Sequence, residues 1–78
     1  MTLRWEEQKE GSWFAYSGDI LAGMVVTQYD GNIHWKIDAV HMKWTAKGYG
    51  DAPSIMAAKR ALARAWAIWL QRAGLAPA

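Results

Sequence analysis

A stretch of twenty residues near the C-terminus, Ser54 to Ala73, limits most strongly how this chain can fold. It reads SIMAAKRALARAWAIWLQRA and combines seven alanines with other strong helix formers, without an internal glycine or proline. This composition predicts one helix, about 30 Å long at a rise of about 1.5 Å per residue. In a chain of 78 residues, a rod of that length is the element on which the remaining residues must pack.

Both ends of this helix carry recognisable signals. Ser54 is an N-cap residue, and Pro53 directly before it suits the start of a helix. At the other end, Gly74 can adopt the left-handed conformation that terminates helices, and Arg72 suits the negative end of the helix dipole. Pro77 prevents the helix from continuing.

An advance of about 100° per residue divides this helix into faces. The face predicted to pack on the rest of the chain consists of Ile55, Ala58, Leu62, Ala65, Trp66, Trp69 and Ala73. Residues 66–70 are apolar without interruption, however, and Ile68 falls outside this face. Either Ile68 is an isolated exposed apolar side chain, which is common, or the helix has a second face that becomes buried.

The second interpretation predicts a partner-binding surface on the outer side of the helix. Its residues are Arg60, Ala61, Arg64, Ile68 and Arg72, with the apolar residues at the centre and the arginines at the rim. Such a rim favours a protein partner with an acidic surface. A second copy of the chain is the alternative partner, although Arg64 would then lie close to itself across a two-fold axis.

The charge distribution is uneven. Residues 1–51 carry five basic and seven acidic side chains, whereas residues 52–78 carry four basic and no acidic ones. Two interpretations remain open: a solvated basic helix face beside a solvated acidic hairpin, or a bipolar surface that steers a charged partner. The sequence does not decide whether the basic helix or the acidic N-terminal hairpin makes the main contact.

The first half of the chain predicts strands. Their expected bounds are about 3–7, 12–17, 20–28 and 33–42, and residues 43–52 are expected to form the longest loop. The third run is apolar on both faces and should be central, with Gly23 marking a bulge or a close helix approach. Asp30-Gly31 predicts a hairpin. The resulting prediction is one α+β domain over residues 1–78, an antiparallel meander of three or four strands with a long C-terminal helix across one face.

The fourth predicted strand has the clearest alternation. Trp35 and Ile37 point to one side of it, while Lys36 and Asp38 point to the other. We expect Trp35 and Ile37 to pack against the core face of the helix, at Leu62, Trp66 and Trp69.

Several chemistries are not expected. The absence of cysteine excludes disulfides, thiolate nucleophiles and cysteine-ligated metals. The two histidines, His34 and His41, point to opposite faces of one predicted strand and cannot share a metal ion there. No nucleophile-elbow sequence is present. We therefore expect no enzyme activity, no catalytic residue, no cofactor and no metal.

The sequence also bears on location. No apolar run approaches the roughly 20 residues of a membrane-spanning helix, and the N-terminal residues lack the apolar stretch of a signal peptide. No membrane association and a cytoplasmic location are therefore expected.

Three short patterns resemble nucleic-acid-binding families. Gly48-x-Gly50 followed by Ser54 and Ala58-Lys59-x-x-Leu62-Ala63 resembles the second helix of double-stranded-RNA-binding domains, but Ile55 and Met56 replace the paired lysines that grip phosphates in that family. Gly11-x-Trp13-x-Ala15 is similar to sheet-type DNA-binding domains of plant transcription factors. Lys47-Gly48-Tyr49-Gly50 matches the opening of an RNA-recognition signature that continues as a strand, whereas residues 51–54 are expected here to open the helix. Only weak, non-specific binding of nucleic acid through Lys59, Arg60 and Arg64 is expected.

A broader likeness concerns the form of the whole chain. A short tryptophan-rich meander, the Gly50-Asp51 and Pro53-Ser54 junction and the Ala58-Lys59 helix resemble small orphan phage and prophage proteins of the anti-CRISPR type. The resemblance implies a non-enzymatic protein that binds and occupies a surface of a host defence complex, as an inhibitor encoded by a mobile element. The alternative is a nucleic-acid-binding module.

Overall fold

The computed structural model describes residues 3–38 and 48–75. They form β1 (Arg4–Lys9), β2 (Ser12–Ser17), β3 (Ile20–Thr27), β4 (Ile33–Ile37), β5 (Tyr49–Ala52) and α1 (Ile55–Arg72). The strands make one antiparallel sheet in chain order, with β3 at its centre, and α1 packs across β3, β4 and β5. The predicted α+β meander is confirmed, with five strands rather than three or four.

The fifth strand was not predicted. Tyr49–Ala52 lies within the expected loop of residues 43–52, yet it pairs with β4, where Gly50 lies opposite Trp35. Glycine and aspartate favour strands poorly, so this short segment lacks a local signal. The expectation that residues 51–54 open the helix directly is wrong, because Asp51 and Ala52 belong to β5.

The described part of the fourth strand is shorter than predicted. β4 ends at Ile37, and Asp38 is not part of the strand, although its backbone N–H still donates to the carbonyl of Ala22 at 2.7 Å. Residues 39–42 of the predicted strand lie outside the described residues.

The hairpin between β3 and β4 is confirmed. The N–H of Gln28 donates to the carbonyl of Asn32 at 2.8 Å, and the N–H of Gly31 donates to the carbonyl of Gln28 at 2.9 Å. Gly31 has a φ of 92°, which favours glycine at this position.

Both predicted helix ends are confirmed. The hydroxyl of Ser54 accepts a hydrogen bond from the N–H of Ala57 at 3.1 Å. Gly74 has a φ of 74°, and its N–H donates to the carbonyl of Gln71. The N–H of Leu75 donates to the carbonyl of Leu70. This is the Schellman pattern, which satisfies carbonyls that the last helical turn leaves without partners.

The core lies between α1 and the centre of the sheet. Its buried residues are Leu3, Ala15, Ala22, Val25, Trp35, Ile37, Ala58, Leu62, Ala65, Trp66 and Leu70. Trp35 and Ile37 thus share a core with Leu62 and Trp66, as expected. The last helical turn differs from the prediction: Leu70 is buried, Trp69 is half-buried and stacked on Trp66, and Ala73 is exposed.

Gly23 explains how closely the helix approaches β3. A Cβ atom on this residue would lie 2.3 Å from the carbonyl oxygen of Lys36 and 3.0 Å from Cδ1 of Leu62. The β2–β3 register also shifts beside it, between Ala15 and Tyr16. Both expectations for Gly23, a bulge and a close helix approach, are confirmed.

Alternation along the strands gives the sheet two sides. One side packs under α1. The other, called the open face below, carries Arg4, Glu6, Lys9, Ser12, Phe14, Tyr16, Leu21, Met24, Val26, His34, Lys36, Tyr49 and Asp51. The register aligns one residue from each strand into a row that runs across this face, consisting of Glu6, Phe14, Met24, Lys36 and Tyr49.

Candidate functional site

A groove of about 440 Å³ lies between α1 and the strands β4 and β5. It is lined by Trp35, Tyr49, Ala57, Arg60, Ala61, Arg64, Ala65 and Ile68. The helical residues in this set recur every three or four positions, so they form one stripe along α1. The groove therefore follows about three turns of the helix.

The floor of the groove is apolar. Trp35 and Ala65 are buried, and Ala61 and Ile68 are half-buried. The indole of Trp35 lies close above Gly50, where an added Cβ would be 3.1 Å from its Nε1 atom. Because β5 presents a glycine at this point, the Trp35 ring can lie across it and form part of the groove.

The rim of the groove is positively charged. Arg60 and Arg64 are both exposed, and neither makes a hydrogen bond or ion pair with another described residue. No carboxylate lines the groove. The two arginines are four residues apart, a rise of about 6 Å along the helix. Two guanidinium groups are thus available to an anionic ligand above an apolar surface.

The structure brings together four of the five residues predicted to bind a partner. Arg60, Ala61, Arg64 and Ile68 all line the groove, whereas Arg72 does not. Arg72 is exposed in the last helical turn. Ala61 also packs partly against the core. The groove therefore ends near Ile68 and does not extend to Arg72.

Sequence reasoning missed the sheet side of the groove. Tyr49 lies in the segment that the sequence predicts as a loop. In the structure it is 61% exposed, and its ring centroid is 6.5 Å from that of His34 on the open face, so it reaches the groove at the edge of the sheet. The strand alternation predicts that Trp35 belongs to the core and does not predict a position beside a groove. Its aromatic character and regular alternation signal burial, and nothing local indicates that one edge of the ring also lines a groove.

The third cation expected to contribute to a basic helix surface, Lys59, makes a different contact. Its Nζ atom lies 3.4 Å from the centroid of the Trp13 ring and 5.2 Å from that of the Trp5 ring. Its ammonium group therefore interacts with the two tryptophan rings of β1 and β2. The expected contribution of Lys59 to phosphate binding has to compete with this contact.

The polar clusters of the described residues are small. Nδ1 of His34 lies 2.9 Å from Oδ1 of Asp51 on the open face, and both side chains are substantially exposed. Within residues 3–38 and 48–75, no group of three or more histidine or carboxylate side chains is placed to hold a metal ion. His41 lies outside the described residues.

Two further observations bear on function. The described helix is neither long nor apolar enough to cross a membrane. No family model, curated protein or solved structure matches the chain. The groove and the open face are therefore interpreted from their own geometry and chemistry.

Proposed function

We propose that the protein is a non-enzymatic binding module that holds an acidic segment of another protein in the groove beside α1. The observation that carries this proposal is the pair Arg60 and Arg64, which have no partner among the described residues and lie above an apolar floor. Guanidinium groups bind carboxylates through paired hydrogen bonds. Burial of apolar surface on the floor adds affinity that does not depend on charge.

The spacing of the arginines indicates what the segment should contain. Two carboxylates about 6 Å apart match the one-turn separation of Arg60 and Arg64, which a helix provides at positions i and i+4. An apolar side chain between them would reach Ala61, and one a turn further along would reach Ile68. A groove of about 440 Å³ accommodates one or two large side chains. The groove therefore fits one anchoring contact, and the charged rim contributes orientation and association rate.

A photo-crosslinking residue at Ile68 tests this function. Met56 is the matched control position, since it is apolar, 60% exposed, on the same helix and outside the groove. The probe at residue 68 should give one specific protein adduct in a bacterial lysate, and the probe at residue 56 should not. Combining the first probe with Arg60→Glu and Arg64→Glu should abolish the adduct.

The position of the crosslink in the partner protein provides a second test of the proposal. Mass spectrometry should locate the crosslink in a segment with at least two carboxylates. Equal adducts from positions 56 and 68, or an adduct that is insensitive to the arginine reversals, would show that the groove is not the binding site.

The more specific form of this proposal is a cytoplasmic inhibitor, encoded by a mobile element, that occupies a surface of a CRISPR-type defence complex. Its support is the general likeness to small phage proteins together with a groove suited to one protein segment. It is tested by plating phage on cells that carry active CRISPR-type interference and express either the wild-type chain or the variant with both arginines reversed. Restored plating that requires both arginines would support it, and no restoration against any interference type would contradict it.

A further inference from the structure

The open face is a second large surface, on the side of the sheet away from α1, and it meets the groove only at Tyr49 on the edge strand. α1 packs against β3, β4 and β5 from the other side of the sheet, and no described element covers the open face. Its centre is apolar and aromatic. The central residues are Phe14, Tyr16, Leu21, Met24 and Val26, all only half-buried. The rings of Phe14 and Tyr16 form a T-shaped pair, with centroids 6.4 Å apart. A surface of this composition is typical of a site that a partner covers.

One row of residues on this face has opposite charges on β1 and β4. Glu6 on β1 and Lys36 on β4 are the charged members of one row, with Phe14 and Met24 between them. The neighbouring row begins with Arg4 on β1 and continues through Tyr16 and Leu21.

Asp38 follows the end of β4, and the pairing of β3 with β4 ends at Gly23 and Ile37, so Asp38 belongs to neither row. The row of Glu6 and Lys36 therefore carries opposite charges on β1 and β4. Glu6 also forms an ion pair with Arg4 of its own chain.

This arrangement is complementary to itself. A two-fold axis parallel to the strands and midway between β2 and β3 exchanges β1 with β4 and β2 with β3. In a second copy placed face to face by this axis, Lys36 would lie opposite Glu6. Symmetry repeats this contact, giving two pairs of opposite charge beside the apolar centre.

The apolar residues match under the same operation. Phe14 would lie opposite Met24 of the second copy, and Tyr16 opposite Leu21. Two sheets related in this way pack with their strands aligned, which is one of the two common arrangements for packed sheets.

We propose that the open face binds a second copy of this chain and forms a symmetric, face-to-face dimer. The opposite charges of Glu6 and Lys36 favour this occupant over a nucleic acid, whose phosphates would meet the carboxylates of Glu6 and Asp51 on the same face. Lys36 has no ion pair with another described residue, so it is free to meet a carboxylate of the second copy.

The size of the face sets the expected strength of the dimer. Four strands about 4.8 Å apart, each contributing about five residues at about 3.3 Å, cover roughly 19 by 17 Å. That is smaller than the about 800 Å² per partner of a standard stable interface. The dimer should therefore be weak and depend on concentration.

A charge-exchange experiment tests this arrangement by sedimentation velocity, from about 5 to 500 µM, which covers the range of a weak dimer. The wild-type chain should shift from monomer to dimer over this range. Glu6→Lys alone and Lys36→Glu alone should each weaken the dimer at least about tenfold, because like charges then face each other. An equimolar mixture of the two variants should form a heterodimer, since each new side chain meets its opposite charge.

Arg64→Glu provides the control, because it reverses a charge on the other side of the sheet and should leave the dimer unchanged. It also separates this inference from the proposed function, which requires Arg64 and does not require Lys36. Circular dichroism should show that all variants remain folded, since the substituted side chains are exposed.

Three outcomes would overturn the inference. They are a wild-type chain that stays monomeric at the highest concentration, a mixture of the two variants that stays monomeric, and an Arg64→Glu variant that weakens the dimer as much as Lys36→Glu. Binding of a labelled single-stranded oligonucleotide that is lost in Lys36→Glu, without any dimer, would assign the face to nucleic acid instead.

Discussion

The ammonium group of Lys59 is placed by aromatic rings rather than by carboxylates. It lies 3.4 Å from the centroid of the Trp13 ring, on the side of the sheet that faces α1. α1 packs on β3, β4 and β5 and does not reach over β1 and β2. The long side chain of Lys59 bridges this gap, with its methylene groups near apolar surface and its charge over the rings.

We predict that Lys59→Met lowers the free energy of unfolding by about 0.5–2 kcal/mol, because it keeps a long apolar side chain and removes the cation. A thermal unfolding curve followed by tryptophan fluorescence should shift down by roughly 4–8 °C for each kcal/mol lost. Lys59→Arg, which keeps a cation that can stack on aromatic rings, is the matched control and should unfold close to wild type. Equal stability of the methionine variant and wild type would mean that only the methylene groups of Lys59 contribute.

At the scale of secondary structure, α1 contributes one face to the core and another to the groove. Leu70 is 7% exposed and belongs to the core, whereas Ile68, two residues earlier, lines the groove. The unbroken apolar run of residues 66–70 therefore supplies two different surfaces. Its inner residues stabilise the fold, and Ile68 remains available to a partner.

This division predicts opposite effects for two neighbouring substitutions. Leu70→Ala should cost about 2–5 kcal/mol, because it removes buried volume from a small core. Ile68→Glu should leave the chain folded and abolish co-purification of the partner identified by crosslinking, since it places a carboxylate in the groove one turn beyond Arg64. Chemical denaturation measures the stability of both variants, and a pull-down measures partner binding. An Ile68→Glu variant that unfolds would assign Ile68 to the core.

The elements that could be predicted from sequence are those with local signals. Ser54 and Gly74 bound the helix through contacts made within it, so its ends were predictable. β5 was not predictable, because Tyr49–Ala52 is a strand through its pairing with β4 and not through the strand propensity of its residues. The same distinction applies to the residues of the groove. Its helical residues follow from the periodicity of α1, whereas Tyr49 lies at the groove only because β5 pairs with β4.

The whole molecule is a plate of two layers, with principal extents of 37, 26 and 18 Å. A helix layer and a sheet layer account for the shortest of these dimensions, and within residues 3–38 and 48–75 no further layer covers the second side of the sheet. Domains bury the apolar sides of their sheets against another element. The half-buried Phe14, Tyr16 and Met24 are therefore the part of the molecule where a second copy would supply the missing layer.

The arrangement of charge over the whole molecule gives the last prediction, which concerns duplex nucleic acid. The net charge is only +2, Lys59 is held over tryptophan rings, and the open face carries both signs. Two or three phosphate contacts through Arg60, Arg64 and Arg72 remain, so the logarithm of the association constant should fall with the logarithm of salt concentration with a slope of about −2 to −3. Anisotropy of a labelled duplex at several salt concentrations measures this slope. Reversing Arg60 and Arg64 should abolish the weak binding, whereas Lys36→Glu, on the other side of the sheet, should not. Sub-micromolar binding at physiological salt would contradict this prediction, because so few phosphate contacts cannot provide it, and would favour a nucleic-acid-binding module.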